Sequence, residues 1–253
     1  MDRRGDRSAK RISGQEKQEK VYGVFEKVAG GYDSANVRIS LGMQALWKRM
    51  LIGQAVKACG GIKGRRARIL DLCTGTGDIA VGIAERLPQS RVVGMDFSPS
   101  MLRAAARKAR EKDLVNVRWR RGNAMEIPVR DAFFDSVSIS FGLRNCADTD
   151  RVLREIHRVL RPGGTVLCLD SFVPDSALVR PFYHLYFRHV MPLVGGGRAL
   201  KEEYEWLQES TEEFLRAGEL ADRMRDLGFE DVKVCRRMMG ACVLHTGTKT
   251  QNI

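Results

Sequence analysis

The chain has 253 residues, 43% of them hydrophobic, and a formal net charge of +12; this suits a single α/β domain, with or without an added subdomain, and is ample for a buried core. No uninterrupted apolar run approaches the ~18 residues that a bilayer-spanning helix requires. Cys59, Cys73, Cys146, Cys168, Cys235 and Cys242 include no C-x-x-C pair, and the four histidines lack metal-ligand spacing, so a reduced cytoplasmic protein without disulfides or metal is expected.

The first twenty residues hold seven basic side chains and no apolar stretch, and read as a disordered basic tail rather than a secretory signal. Residues 21–253 then form one domain, opened by VYGVFEKVAGGY (21–32) as an apolar helical cap. RILDLC (68–73) reads as a buried strand, followed by a helix over 78–87 and a second strand, RVVGMD (91–96). The next helix, 98–113, has Ser98 as a cap and Pro99 at its first position. Strands over 116–123 and 135–142 follow, then a helix over 148–160 stopped by R-P-G-G (161–164), then a strand over 165–172. Continuous apolar strands joined by helical crossovers predict a mostly parallel sheet covered on both faces. Residues 173–208 break the rhythm with Phe182, Tyr183, Tyr186, Phe187, Tyr204 and Trp206; together with 21–32 they are expected to cover the carboxyl ends of the strands, where open α/β sheets bind ligands. Residues 230–249 read as an antiparallel hairpin turning near Gly240. Much of the remaining basic charge falls on the solvent side of helices, as in RAAARKAREK (103–112), which predicts solubility and attraction to an anionic membrane rather than a nucleic-acid site.

Gly75, Gly77 and Ala80 satisfy G-x-G-x-x-[GA], and Asp96 ends the next strand. That spacing alone is shared with dinucleotide enzymes. Asp71, just ahead of the turn, separates the two: a carboxylate there repels a pyrophosphate and attracts a cation. S-adenosylmethionine is cationic at sulfur and at its amino group, and Asp96 would accept its ribose hydroxyls. The D-x-x-x-G-x-G pattern, with Thr76 between the glycines, resembles motif I of class I methyltransferases, although Cys73 stands where that family often has its first glycine. Asn123 or the backbone amide of Ala124 is then placed to meet the adenine, and Ser140 to face the methionine moiety.

Two longer segments resemble the ubiquinone/menaquinone biosynthesis C-methyltransferase family. VFEKVAGGYDSANVRISLGMQALWKR (24–49) matches its N-terminal signature at Tyr32, Asp33, Asn36, Ile39, Ser40 and Trp47; SISFGLRN (138–145) and HRVLRPGG (157–164) match further on. The departures are Ala35 for Met, Gln44 for His, and Asp170-Ser171-Phe172 for Glu-Phe-Ser. The resemblance implies a Rossmann-like seven-stranded α/β sheet, mostly parallel, ending in the antiparallel hairpin. It implies methyl transfer to a ring carbon of a polyprenylated quinol, with naphthoquinol and benzoquinol both open. Arg144 is then expected to stabilise the phenolate or polarise a water, Asn145 to orient the ring oxygen, and Asp33 to be a second candidate for the base. A small-molecule O-methyltransferase and a nucleic-acid methyltransferase are the alternatives. The expected partners are the quinol and, at its periphery, a membrane taking contact from Arg180, Arg188, Arg198 and the aromatic insertion; a homodimer is left open, and nucleic acid is not expected.

Overall fold

The computed structural model describes residues 16, 19, 21–23, 26, 32–186 and 201–250. Most of the basic tail lies outside them, as do Phe187, Arg188 and Arg198 of the insertion. The strands are β1 Arg68–Leu72, β2 Arg91–Asp96, β3 Val117–Arg121, β4 Phe134–Ser140, β5 Leu160–Ser171, β6 Phe229–Arg237 and β7 Cys242–Lys249. The helices are α1 Tyr32–Ile39, α2 Met43–Cys59, α3 Asp78–Arg86, α4 Pro99–Glu111, α5 Thr149–Val159, α6 Arg180–Leu185, α7 Lys201–Glu213 and α8 Ala217–Asp226.

The strands form one sheet in the order β3-β2-β1-β4-β5-β7-β6. β1 to β5 run parallel, and β7 pairs antiparallel with both β5 and β6. Side chains alternate across each strand, so the sheet has two cores. Leu70 and Leu72 of β1, with Val166 and Cys168 of β5, enter one core together with Ile156 of α5 and Leu220 of α8. Ile69, Leu167 and Leu169 enter the other, against Leu51 and Ala55 of α2 and Ile83 of α3. Because both faces are covered there, the central strands β1 and β4 are buried almost throughout, whereas the edge strands β3 and β6 are largely polar.

Side-chain caps set the starts of two helices that frame the site. Ser98 Oγ accepts the amide of Met101, and Pro99 follows it in the first turn of α4. Asp148 accepts the amide of Arg151 at 2.9 Å and caps α5. Each satisfies a donor that the first turn leaves without a helical partner.

Two boundaries differ from the sequence reading. β5 starts at Leu160, opposite Phe134, and the R-P-G-G stretch is absorbed as a register shift before Thr165 pairs with Ser136. β4 ends at Ser140 because Phe141 turns to φ 55, and a 3-10 turn, Leu143–Asn145, follows. Within the insertion, α6 and the first part of α7 are helical. Its aromatics divide: Tyr183 and Trp206 are buried, whereas Phe182 stays 71% exposed.

Candidate active site

Strand order reverses between β1 and β4, which opens a crevice beyond the carboxyl ends of β1, β2 and β4. A cavity of about 570 Å³ occupies it. The loop after β1 forms its floor, with Cys73, Gly75 and Gly77 at φ 50, 54 and 83. Gly77 needs its missing Cβ, which would lie 2.7 Å from both Ala105 and Trp119. At Gly75 a Cβ would meet nothing within 4 Å, because the residue faces the cavity.

Asp71 anchors this loop from beneath. Its carboxylate accepts from Thr74 Oγ1 at 2.5 Å and from Ser138 Oγ at 2.7 Å. Full burial pushes its pKa up to about 6, against the opposing pull of those two hydroxyls. Asp71 therefore lines a smaller recess with Thr76 rather than the main cavity. Thr76 also faces away from the cavity: its hydroxyl donates to Asp33 at 2.7 Å and accepts from Lys108 at 2.9 Å.

Asp96 does reach the main cavity. It accepts the amide of Gly75 at 2.8 Å and that of Ser98 at 2.9 Å, and a carboxylate has acceptor capacity beyond these two bonds. Burial raises its pKa, with the backbone donors working the other way. Asn123, Ala124 and Ser140 line the same cavity. Asn123 Oδ1 accepts the amide of Met125 at 2.9 Å, a turn-forming bond, so its amide nitrogen or the Ala124 backbone is left for a ligand. Ser140 Oγ is buried and has no hydrogen-bond partner among the described residues.

The opposite wall is Phe141, Gly142, Asn145, Cys146 and Ala147, with Val21 and Tyr22 of the N-terminal cap. Tyr22 rests on Phe97 with ring centroids 5.7 Å apart. Glu26 accepts from Ser98 Oγ at 2.5 Å and Ser100 Oγ at 2.6 Å, and those hydroxyls, Ser100 first, hold its carboxyl below the usual range. The cap is thereby fastened to the start of α4 over the cavity mouth. Asn145 Oδ1 accepts the indole N–H of Trp206 at 3.0 Å, while its Nδ2 donates to the Phe141 carbonyl at 3.1 Å.

Arg144 and Asp33 are placed differently from Asn145, and neither lines the main cavity. The Arg144 guanidinium is buried against Asp170 at 2.5 Å and donates to the Phe141 carbonyl at 2.9 Å. Asp33 pairs with Lys108 at 2.5 Å; Lys108 also pairs with Asp78, and Asp78 with Lys48 at 2.6 Å. Burial opposes the charge on Asp78, yet the two lysines hold its pKa below the usual value. This network ties α1, α2 and α4 to the first turn of α3. The sequence reading placed the 21–32 segment and the Trp206 region over the strand ends without giving Tyr22, Glu26 or Trp206 an individual role, and it gave Cys146 no place in the site.

The orphaned hydroxyl of Ser140, the open space at Gly75 and the spare acceptor sites on Asp96 suit a polar ligand with hydroxyls and an extended body. With the strand order, these features define a class I S-adenosylmethionine-dependent methyltransferase. The fold is shared with solved structures: the [4+2]-cyclase SpnF superposes with a TM-score of 0.61 at 18% identity, covering 95% of this chain and 97% of its own. A SAM-dependent methyltransferase of Thermotoga maritima superposes with a TM-score of 0.59 at 22% identity, covering 90% and 100%. Residues 13–249 match the model of the ubiE/COQ5 methyltransferase family, and the chain belongs to that family. It is 42% identical to a demethylmenaquinone methyltransferase of Geobacillus kaustophilus over 93% of this chain and 99% of that one. The demethylmenaquinone methyltransferase of Listeria welshimeri is also 42% identical, over 92% and 97%.

Proposed function

We propose that this protein methylates a ring carbon of a polyprenylated quinol; its relatives carry the name demethylmenaquinone methyltransferase. The observation that carries the reading is one shared cavity, in which Asp96, Gly75 and Ser140 face the apolar wall of Val21, Phe141 and Ala147. S-adenosylmethionine would supply an electrophilic methyl group there. Asp96 would hold its ribose hydroxyls, Asn123 or the Ala124 amide its adenine, and Ser140 its methionine portion.

The remaining work falls to the protein. Attack by a ring carbon needs alignment and the exclusion of water, and Val21 and Tyr22 of the N-terminal cap, which line the cavity, contribute to that enclosure. A phenolic hydroxyl loses its proton near pH 10, and the resulting phenolate makes the adjacent carbon nucleophilic. Asn145 has a second amide hydrogen beyond the one given to Phe141, and it is the group proposed to orient the ring oxygen. Arg144 is assigned to positioning: its bonds to Phe141 and Asp170 fix the turn that carries Asn145. Asp33 is assigned to holding the glycine loop through Thr76.

No helix among the described residues is long and apolar enough to cross a membrane, yet a polyprenyl tail resides in one. Exposed Val37 and Leu41 near α1, and Phe182 and Leu185 on α6, form an apolar edge; the Tyr186 hydroxyl joins the two by donating to the Ile39 carbonyl at 2.7 Å. We place peripheral docking at this edge, with exposed Arg38 beside it. Arg180 is instead engaged by the carbonyls of Pro174 and Asp175.

The test is transfer of labelled methyl from S-adenosylmethionine to a panel of reduced prenylated naphthoquinols and benzoquinols. The expected product carries the label on a ring carbon. Label on a hydroxyl oxygen, or on no quinol at all, overturns the reading.

A further inference from the structure

We propose that Cys73 and Cys146 form a redox-active dithiol in the wall of the cofactor cavity, which a two-electron oxidant of the quinone class closes to a disulfide, and that the closed form binds S-adenosylmethionine weakly. The proposal rests on the quinol reading above only for the identity of the oxidant.

The two cysteines lie far apart in sequence and meet at Gly142. A Cβ built on Gly142 would stand 2.4 Å from the Cβ of Cys73 and 3.0 Å from its sulfur. The absence of a side chain there lets Cys73 press against the turn. On the other side of the same residue, the Cys146 thiol donates to the Gly142 carbonyl at 3.5 Å. Both sulfurs thus flank one glycine. Both residues also line the cavity, so a planar oxidant that enters it reaches them. Cys59, Cys168 and Cys242 are buried in the sheet and its helices instead.

Neither cysteine sits inside a strand. Cys73 has a left-handed backbone at φ 50 between β1 and the glycine loop, and Cys146 closes the 3-10 turn. Drawing the sulfurs together therefore moves two loops rather than the sheet. One of them presents Gly75 to Asp96, and the other carries Asn145; that is why closure disturbs the cofactor cradle. In the reaction each thiol loses its hydrogen and the sulfurs form one bond. The two electrons and two protons pass to the quinone oxygens, which become the hydroxyls of a quinol. An oxidised acceptor, which has no nucleophilic ring carbon to offer, would then also shut the enzyme.

The test uses the full-length protein, reduced and freed of reductant under anaerobic conditions. One portion is treated with diamide and another with tetramethyl-1,4-benzoquinone, whose ring has no open carbon for a thiol to add to. Non-reducing peptide mapping and calorimetry of S-adenosylmethionine binding follow, before and after dithiothreitol. The expected result is a Cys73–Cys146 cross-link with both oxidants and one quinol formed per disulfide. Cofactor affinity should fall about tenfold or more, a loss of roughly 1.4 kcal/mol, and return on reduction. Cys146→Ser, or Cys73→Ser should the first fail to fold, removes the response, whereas Cys235→Ser retains it. A cross-link between other cysteines, no cross-link with diamide, or a cross-link with unchanged affinity overturns the proposal. Cross-linking by diamide but not by the benzoquinone overturns the assignment of the oxidant. Loss of methyl transfer to every quinol, with the diamide result intact, counts against the acceptor alone.

Discussion

Asp71→Asn should make the protein more stable at neutral pH, and the gain should depend on pH in a defined way. The Asp71 carboxyl is fully buried, and burial raises its pKa from 3.8 to about 6. Its folded form therefore holds a proton more tightly than its unfolded form, so stability is greatest below about 3.8 and falls as pH rises through about 6. At about 1.36 kcal/mol per pH unit, the full displacement corresponds to a cost of about 3 kcal/mol above that window. Asparagine fits the site: its oxygen can accept from Thr74, and Ser138 can turn its hydroxyl toward the Leu70 carbonyl, 3.4 Å away, to accept from the amide. Urea unfolding of both proteins from pH 4.5 to 7.5 measures the difference. It should grow by roughly 2 kcal/mol across that range in favour of the variant. A difference that stays flat with pH would show that Asp71 does not carry a buried charge and would refute the argument.

Asp96→Ala should weaken S-adenosylmethionine binding by about 3 kcal/mol, since two hydrogen bonds to a charged acceptor are lost; calorimetry checks it, and unchanged affinity would remove the cofactor from this position. Asp96→Asn, which keeps one acceptor for the amides of Gly75 and Ser98, should fall between wild type and the alanine variant in the same measurement. Arg144→Ala leaves Asp170 buried without its ion-pair partner and should cost about 3–5 kcal/mol in thermal or urea unfolding; normal stability with lost turnover would instead put Arg144 in the chemistry itself. Phe182→Ser with Leu185→Ser should reduce co-sedimentation with anionic vesicles, and wild-type binding should weaken with salt by about 1 kcal/mol for each basic contact screened. Equal, salt-insensitive partitioning of both proteins would sink the docking edge.

The sequence by itself determined the features that are settled within a few residues. Unbroken apolar runs such as RILDL gave strands buried on both faces, and Ser98 with Pro99 marked a helix start because capping uses only neighbouring amides. The G-x-G turn and the acid ending β2 placed the ligand cradle, since parallel strands bring their carboxyl ends to one edge. Charged side chains were a different matter. Arg144 lies beside Asn145 in sequence, yet it turns into Asp170, 26 positions away, while Asn145 meets the cavity and Trp206, 61 positions away. Asp33 is drawn to Thr76 and Lys108 rather than to the substrate space, and Cys73 can press against Gly142 of a distant turn only because that residue has no side chain. A long or buried polar side chain goes to whichever partner best offsets its loss of water. Those partners arrive from other strands and helices, so only the tertiary structure decides which way it points.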